Sequence, residues 1–357
     1  MPRPQAMEAA GQRGYTATMR LRFVFLAGAI LGGLLGYYAV WSLLIGRVEA
    51  GVQAFQAAQR AQGRDFTYAS MQRGGFPYRL SLRLDGISLT EPKPAGWRVE
   101  AETLVAHQQL WSSQHIVFEL FGRQAFIWRD GSGSHTASLV PERGRASLVL
   151  DGADRWLRFA ADIQGARFGD ALQGFEAQRL QVHLRQAGNV PPMQDVALQV
   201  NGLTLPASFD GPLGRSVQEL NLVGRQTGPW VGNSLEDTLA GWRDAGGVIE
   251  FNTVVLNWNA VKLSGDGSLT IDKQFRPLGA MGGKLLGAPA GIDALVAAGK
   301  MQPREAAAAK AALVALHKRD PAGTEPYLSL PLTAQDGRLS IANVPLFPLE
   351  PLLNTKK

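Results

Sequence analysis

Residues 79–89 carry the sequence RLSLRLDGISL, and this stretch contains the pattern that decides the fold. Leucine occupies every second position of its first half and alternates with serine and arginine, so one face is apolar and the other polar. The apolar phase resumes at Ile87 and Leu89 after Asp85-Gly86, which is typical of a bulge or a tight turn. The alternation predicts a half-buried β-strand.

The same alternation recurs along the chain. It is found at Leu180, Val182 and Leu184, at Val196, Leu198 and Val200, at Leu220 and Leu222, at Val261 and Leu263, and at Leu269 and Ile271. Asp-Gly or Asn-Gly pairs, which favour the positive φ angles of hairpin turns, begin at Asp85, Asp130, Asp151, Asn201, Asp210, Asp266 and Asp336. Short strands joined by hairpins predict a long antiparallel meander with one apolar face.

Helical patterns beyond the N-terminal region are few, and they lie near residues 234–245 and 291–318. Two or three short helices cover only part of a large sheet, which favours a sheet curved on itself. The fold class predicted is therefore mainly β: an N-terminal transmembrane helix, then a long curved antiparallel meander with a few short helices. The apolar face either stays open as a groove or closes into an ordinary core, and alternation alone does not separate the two.

An uncharged run, FVFLAGAILGGLLGYYAVWSLLI, extends from Phe23 to Ile45 and matches the roughly 20 residues that a membrane-spanning helix needs. Four arginines against Glu8 precede the run, and basic flanks stay on the cytoplasmic side. A cleaved signal with cleavage after Ala50 is the competing interpretation, but the run exceeds the roughly 7–15 apolar residues of a signal peptide. The sequence thus predicts a single-pass protein of the bacterial inner membrane, with a cytoplasmic N-terminus and its bulk in the periplasm.

The predicted organisation follows from these patterns. It comprises a cytoplasmic basic tail (1–22), a transmembrane helix (23–45), a juxtamembrane helix (46–63), a periplasmic β-rich domain (64–353) and a C-terminal tail (354–357).

Within the apolar run, Gly28, Gly32 and Gly36 repeat every fourth residue and share one helical face. Such a stripe lets another helix approach closely, so these glycines are candidates for helix packing with an envelope partner. Glycine is also common in membrane helices, and incidental composition is the alternative.

Composition and charge exclude several functions. The chain has no cysteine, which excludes disulfides and thiolate metal sites. Half of the formal net charge of +6 lies in the N-terminal tail, which leaves the rest nearly balanced and gives no support for nucleic-acid binding.

No motif predicts catalysis, a metal or a cofactor. The five histidines lack metal-ligand spacing, and the segment 279–287 departs from a phosphate-binding loop at Leu278 and Leu285. The serines and His135 of the segment 131–135 lack the strand-elbow-helix context of a serine hydrolase. We therefore expect no catalytic residues and no enzyme activity.

Two segments carry a family resemblance. Gly75-Phe76-Pro77, which follows the anchor and leads into Leu84-Asp85-Gly86-Ile87, resembles a signature of the bacterial envelope family DUF2125, a domain family of unknown function. The second segment begins at 242–247 and continues through Leu256-Asn257-Trp258 and 265–269 to 336–339 and 344–346; it resembles the C-terminal half of that family. The family is similar in layout to AsmA-like proteins, and this similarity implies a β-rich periplasmic body with a role in lipid handling.

Two functional hypotheses follow. The first is a non-enzymatic, membrane-anchored protein that binds or shields a lipid or another hydrophobic ligand in envelope maintenance, with membrane lipids as its partners. The second is a structural or interaction module with a closed β core, which contacts an envelope protein through the transmembrane helix or a sheet edge.

Overall fold

A computed structural model describes residues 5–91, 96–130, 133–153, 155–169, 174–189, 192–232, 234–318, 326–341 and 344–353. Within these ranges it contains four helices and one sheet of seventeen strands. The helices are α1 (Gln5–Ala61), α2 (Leu235–Asp244), α3 (Ala288–Ala297) and α4 (Pro303–Leu316). The first nine strands are β1 (Asp65–Thr67), β2 (Ser70–Gly74), β3 (Arg79–Glu91), β4 (Trp97–Gln109), β5 (Ser112–Asp130), β6 (Gly133–Val140), β7 (Arg143–Leu150), β8 (Trp156–Phe168) and β9 (Phe175–Asn189). The remaining strands are β10 (Pro192–Thr204), β11 (Ser216–Thr227), β12 (Val248–Trp258), β13 (Val261–Ile271), β14 (Pro277–Leu286), β15 (Leu328–Gln335), β16 (Arg338–Ile341) and β17 (Val344–Pro348).

All strand pairs are antiparallel, and nearly every strand pairs with its neighbours along the chain. Two rows of the sheet hold two strands each: β1 and β2 both pair with β3, and β6 and β7 both pair with β5 and β8. The seventeen strands therefore form fifteen rows, and at roughly 4.8 Å per row the sheet is about 67 Å from first row to last. The predicted antiparallel meander is confirmed.

The sheet is open. Among the described strands, no residue of β17 is in register with β1 or β2, so the sheet has two edges. Its accessible surface of 22849 Å2 also exceeds the roughly 14,000 Å2 expected of a compact protein of 38.4 kDa. Long α1 accounts for part of this excess, and the remainder reflects a sheet that is mostly one layer thick.

Helix α1 is continuous through the apolar run and beyond it, and it ends at Ala61, just before Gly63 at φ +76°. From Phe23 onward it is long and apolar enough to cross a membrane. Its outer part lies beside β3 and runs in the same direction. Trp41 and Ile45 pack on Leu80 near the start of β3, and Val52 packs near its centre against the cluster of Phe66, Leu84 and Ile87.

Three shorter helices lie in two connections between strands. In α2, Ser234 caps the N-terminus through its side chain, and Trp242 packs against Ile271 and Phe275. The helices α3 and α4 form a hairpin between β14 and β15. The helical segment predicted near 291–318 starts earlier in the structure, because Pro289 fits the first turn of a helix and α3 begins at Ala288.

Candidate functional site

The register places the apolar residues of successive strands on one face of the sheet, which we call the inner face. Ile163 of β8 lies opposite Leu180 of β9, which lies opposite Val200 of β10, and Val200 in turn faces Leu220 of β11. Residues at these positions are apolar along most of the sheet. The inner face is therefore one extended apolar surface that crosses strands far apart in sequence.

A fold line, which we call the crease, runs across the strands from β3 to β11. In a regular strand, residues three apart point to opposite faces. Ile163 and Ala166 are three apart, yet both belong to one buried cluster with Ala177 and Val200, and Leu203 packs against it. The pairing register of β8 with β9, and of β9 with β10, is the same before and after the two residues that separate these positions. In each strand, the alternation of side chains between the two faces therefore shifts by one within those two residues. The cluster includes the most buried positions of these strands, such as Ala166 at 0 % exposure, because the sheet bends around it.

A repeated pair of residue types forms the crease. A positive φ occurs at Gly86, Gly122, Gly165 and Gly202, in β3, β5, β8 and β10, and also at Asn259 in the turn that follows β12. Glu102, Glu142, Gln178 and Gln218 lie beside the last four of these positions, whereas Ala69 lies beside Gly86.

These glutamate and glutamine side chains lie where the glycines have no side chain. A Cβ on Gly122 would lie 2.1 Å from Oε2 of Glu102, and a Cβ on Gly202 would lie 2.4 Å from Cδ of Gln178. The backbone N–H of Arg123 also donates to Glu102 at 2.9 Å. Glycine at positive φ is an established means of bending a sheet, and here a long polar side chain covers the bends at Gly122, Gly165 and Gly202.

The crease corrects one interpretation of the sequence. Asp85-Gly86 and Asn201-Gly202 were expected in hairpin turns, or for the first pair in a bulge or turn, but both lie inside long strands. The register on β4 continues without a shift from Asp85 to Ile87. A hairpin turn and a crease inside a strand both need a residue at positive φ, so Asp-Gly and Asn-Gly pairs do not distinguish the two. Asp266-Gly267 likewise lies inside β13.

A cavity of about 370 Å3 opens on the inner face across β11 to β16. Its walls include Leu222, Phe251, Leu263, Met281, Leu332 and Leu339, and none of its lining residues is ionisable. This volume falls in the range of small-molecule sites, roughly 300–1,000 Å3. The hollow can accept apolar material but offers no side-chain charge to a polar group.

Two glycines form part of the cavity wall where β13 and β14 approach closely. A Cβ on Gly267 would lie 2.4 Å from the carbonyl oxygen of Ala280, and a Cβ on Gly279 would lie 2.2 Å from that of Ser268. No larger residue fits at either position without moving backbone. The segment 279–287, which lacks a phosphate-loop pattern, is thus mostly strand β14.

The opposite, outer face is polar and carries ion pairs between neighbouring strands. Arg179 donates two hydrogen bonds of 2.8 Å to Asp162, and these bonds hold the pKa of Asp162 below its ordinary value. Asp195 lies between Arg185 and Arg225, whose hydrogen bonds lower its pKa in the same way. The polarity of the two faces therefore differs sharply.

Three polar residues on β3, β4 and β5 resemble a nucleophilic triad in composition. Ser81 Oγ lies 2.8 Å from Nδ1 of His107, and Nε2 of His107 lies 3.5 Å from Oε2 of Glu119. Burial is the main cause of a lowered pKa at His107, which favours the neutral ring. Ser81 is only 7 % exposed and lies outside the apolar cavity, so this arrangement does not present a nucleophile to a ligand held there. Sequence spacing gave no sign of this network, because only the strand register brings its members together.

Within the described ranges, no group of three or more histidine, aspartate or glutamate side chains could hold a metal ion.

The predicted helix-packing residues lie on an open face of α1. A Cβ added to Gly28, Gly32 or Gly36 would meet no heavy atom within 4 Å. Association with another helix through this stripe stays a prediction.

The motif Gly75-Phe76-Pro77 lies against the outer end of the apolar run in α1. The Phe76 ring lies 5.4 Å from that of Tyr38 and 5.6 Å from that of Trp41, between ring centroids. The hydroxyl of Tyr37 donates to the carbonyl oxygen of Pro77. Gly75 has φ +93°, and a Cβ there would lie 2.6 Å from Oγ of Ser81. The motif therefore joins the sheet to the helix.

The fold defines a class of protein: a β-rich body made of one creased, open antiparallel sheet with an apolar face, preceded by a helix that is long and apolar enough to cross a membrane. The model of a family described as an uncharacterized protein conserved in bacteria (DUF2125) matches residues 41–350. The chain belongs to this family, as its motifs suggested. No curated protein and no solved structure matches the chain.

Proposed function

We propose that the protein is a non-enzymatic, inner-membrane-anchored periplasmic protein that binds or shields the acyl chains of a lipid, or another hydrophobic ligand, in envelope maintenance. The observation that carries this proposal is the apolar cavity of about 370 Å3 on the inner face, with no ionisable residue in its lining. Contact between such a surface and water is unfavourable. Covering the surface with hydrocarbon is stabilising by roughly 25 cal/mol for each Å2 of apolar area removed from water.

The dimensions of the cavity support a lipid chain. It extends over the rows of β11 to β16, and five spacings of about 4.8 Å amount to roughly 24 Å. One leaflet accounts for about half of the roughly 30 Å hydrocarbon core of a bilayer. The hollow is thus long enough for one acyl chain. A headgroup would remain at the margin, because the lining lacks charged side chains.

The apolar run of α1 supports the anchoring part of the proposal. None of its most apolar window is buried inside the protein, so these side chains have no cover from the chain itself. A lipid bilayer supplies that cover, and the preceding arginines favour a cytoplasmic N-terminus.

A cavity-filling variant tests the function. Leu332→Trp places an apolar ring in the hollow without introducing a charge, and Thr333→Trp adds the same ring at the next position of β15, which does not line the cavity. The full chain is purified in detergent, and bound lipid is measured by native mass spectrometry and by uptake of a pyrene-labelled phospholipid. We expect Leu332→Trp to lower both signals severalfold and Thr333→Trp to preserve them. A wild-type protein without lipid, or equal uptake by both variants, would contradict the proposal.

The alternative, an interaction module of an envelope complex, draws on the uncovered stripe of Gly28, Gly32 and Gly36. Replacing all three by leucine should abolish a crosslinked complex in the membrane if the stripe binds a partner helix. The matched control replaces Ala27 and Ala29 by leucine, which adds similar bulk on other faces of α1. Crosslinks that survive the glycine replacements would remove this alternative.

A further inference from the structure

We infer that the end of the sheet next to α1 contacts the lipid headgroup layer through Phe76, Tyr78 and Trp111, which we call the interfacial patch. This inference rests on the proposed anchoring of α1 in a membrane. It adds a second lipid-contacting surface, separate from the cavity on the inner face.

The patch consists of two neighbouring turns at one end of the sheet. Tyr78 lies in the turn between β2 and β3 and is 80 % exposed, and Trp111 lies in the turn between β4 and β5 and is 76 % exposed. The two turns are adjacent, because Arg79 at the start of β3 pairs with Gln109 at the end of β4. Aromatic side chains exposed to this degree are unfavourable in water when they cluster.

Contacts with α1 fix the level of the patch along the helix. Leu110, next to Trp111, packs on the cluster of Trp41, Ile45 and Leu80, and the Phe76 ring contacts Trp41. At 1.5 Å per residue, Trp41 lies about 27 Å along the helix from Phe23. A hydrocarbon core of about 30 Å that starts at Phe23 ends near Leu43. The patch is therefore at the depth where bilayer hydrocarbon gives way to headgroups.

The chemistry of the patch suits that layer. Tyrosine and tryptophan are enriched at membrane interfaces, because their rings are apolar while the hydroxyl and indole N–H remain hydrogen-bonded. Arg79 is exposed beside Tyr78 and offers a cation to lipid phosphate groups. The combination of aromatic rings and arginine at the depth expected from α1 favours a lipid surface over a second protein.

Single-cysteine labelling tests the inference without background, because the chain has no cysteine. Tyr78→Cys and Trp111→Cys are labelled with the fluorophore NBD. The matched control is Ser134→Cys, in β6, where Ser134 pairs with Arg129 at the far end of β5. Leu31→Cys reports on the span. The full chain is reconstituted in vesicles of phosphatidylethanolamine and phosphatidylglycerol that contain lipids with nitroxides near the headgroup or deep in the chain.

We expect headgroup nitroxides to quench the probes at 78 and 111 at least about twofold more than the probe at 134. Equal quenching at 78, 111 and 134, with deep quenching at 31, would overturn the interfacial patch and leave the anchoring intact. A probe at 31 that no nitroxide quenches would overturn both. Probes at 78 and 111 that are shielded from aqueous iodide and also from nitroxides would indicate a protein contact and would equally overturn the inference.

Discussion

Replacing Gly202 by alanine should weaken the crease where it crosses β10. Gly202 has φ +60°, and an L-residue in the left-handed region costs roughly 1–2 kcal/mol. The new Cβ would also lie 2.4 Å from Cδ of Gln178, which must leave its rotamer at about 0.5–1.5 kcal/mol. Lower entropy of the unfolded chain returns about 0.4–1 kcal/mol. The expected net loss of stability is about 2 kcal/mol.

The measurement is urea unfolding of the full chain in detergent micelles, followed by tryptophan fluorescence. Gly282→Ala is the matched control, since Gly282 lies in β14 without positive φ and a Cβ there meets no atom within 4 Å. Alanine in a strand is favoured over glycine by roughly 0.5–1 kcal/mol, so this control should be slightly stabilised. The double variant Gly202→Ala/Gln178→Ala should recover the rotamer contribution and leave the backbone strain.

A result in which Gly202→Ala and Gly282→Ala have the same stability would refute the reasoning. The stability change of the double variant is compared with the sum of the changes in the two single variants. If the double variant is no more stable than this sum predicts, Gln178 does not fill the space above the glycine.

Three further outcomes are expected. Trp41→Ala should cost about 3–5 kcal/mol in urea unfolding, because Trp41 is buried and donates to the sheet backbone, whereas Leu43→Ala, at a position 70 % exposed, should cost far less. The lowered pKa of His107 means that the unfolded chain binds more protons between the folded pKa and about 6.5, so stability should fall as the pH drops through that window. His107→Gln should flatten this slope in thermal unfolding between pH 7.5 and 5. The lowered pKa of Asp195 contributes stability that is lost as the pH falls below about 3.9, and Asp195→Asn should remove that acid-dependent loss; an unchanged acid profile would contradict the ion-pair assignment.

Local patterns predicted the strands and the long apolar helix because both depend on residues close in sequence. Alternation in 79–89 requires one apolar face, and the run Phe23–Ile45 has enough apolar length for a spanning helix. The helical pattern near 234–245 is likewise local, and α2 lies within it.

The crease was not predicted, because it depends on which residues of different strands lie opposite one another. Gly202 follows Asn201 and resembled a turn, and Gln178, which lies above it, is more than twenty positions away. A recurring order of glutamate or glutamine followed by a strand glycine was the available signal, and it becomes informative only with the register. An open apolar groove was one of two alternatives from the sequence, but the position of the cavity was not predictable, since its walls come from six strands.

The common direction of α1 and β3 determines the direction in which the sheet extends from the helix. Trp41 of α1 donates to Arg79 at the start of β3. Gln56 of α1 donates to the carbonyl of Phe66, and Phe66 pairs with Leu89 near the end of β3. The strands therefore run along the helix axis, and successive rows are added at right angles to it. With α1 upright in a bilayer, the first rows would extend laterally over the leaflet, and the sheet twist of roughly 20° per row would tilt later rows progressively. In that orientation, added rows would widen the area of membrane below the sheet without increasing the height of the sheet above it.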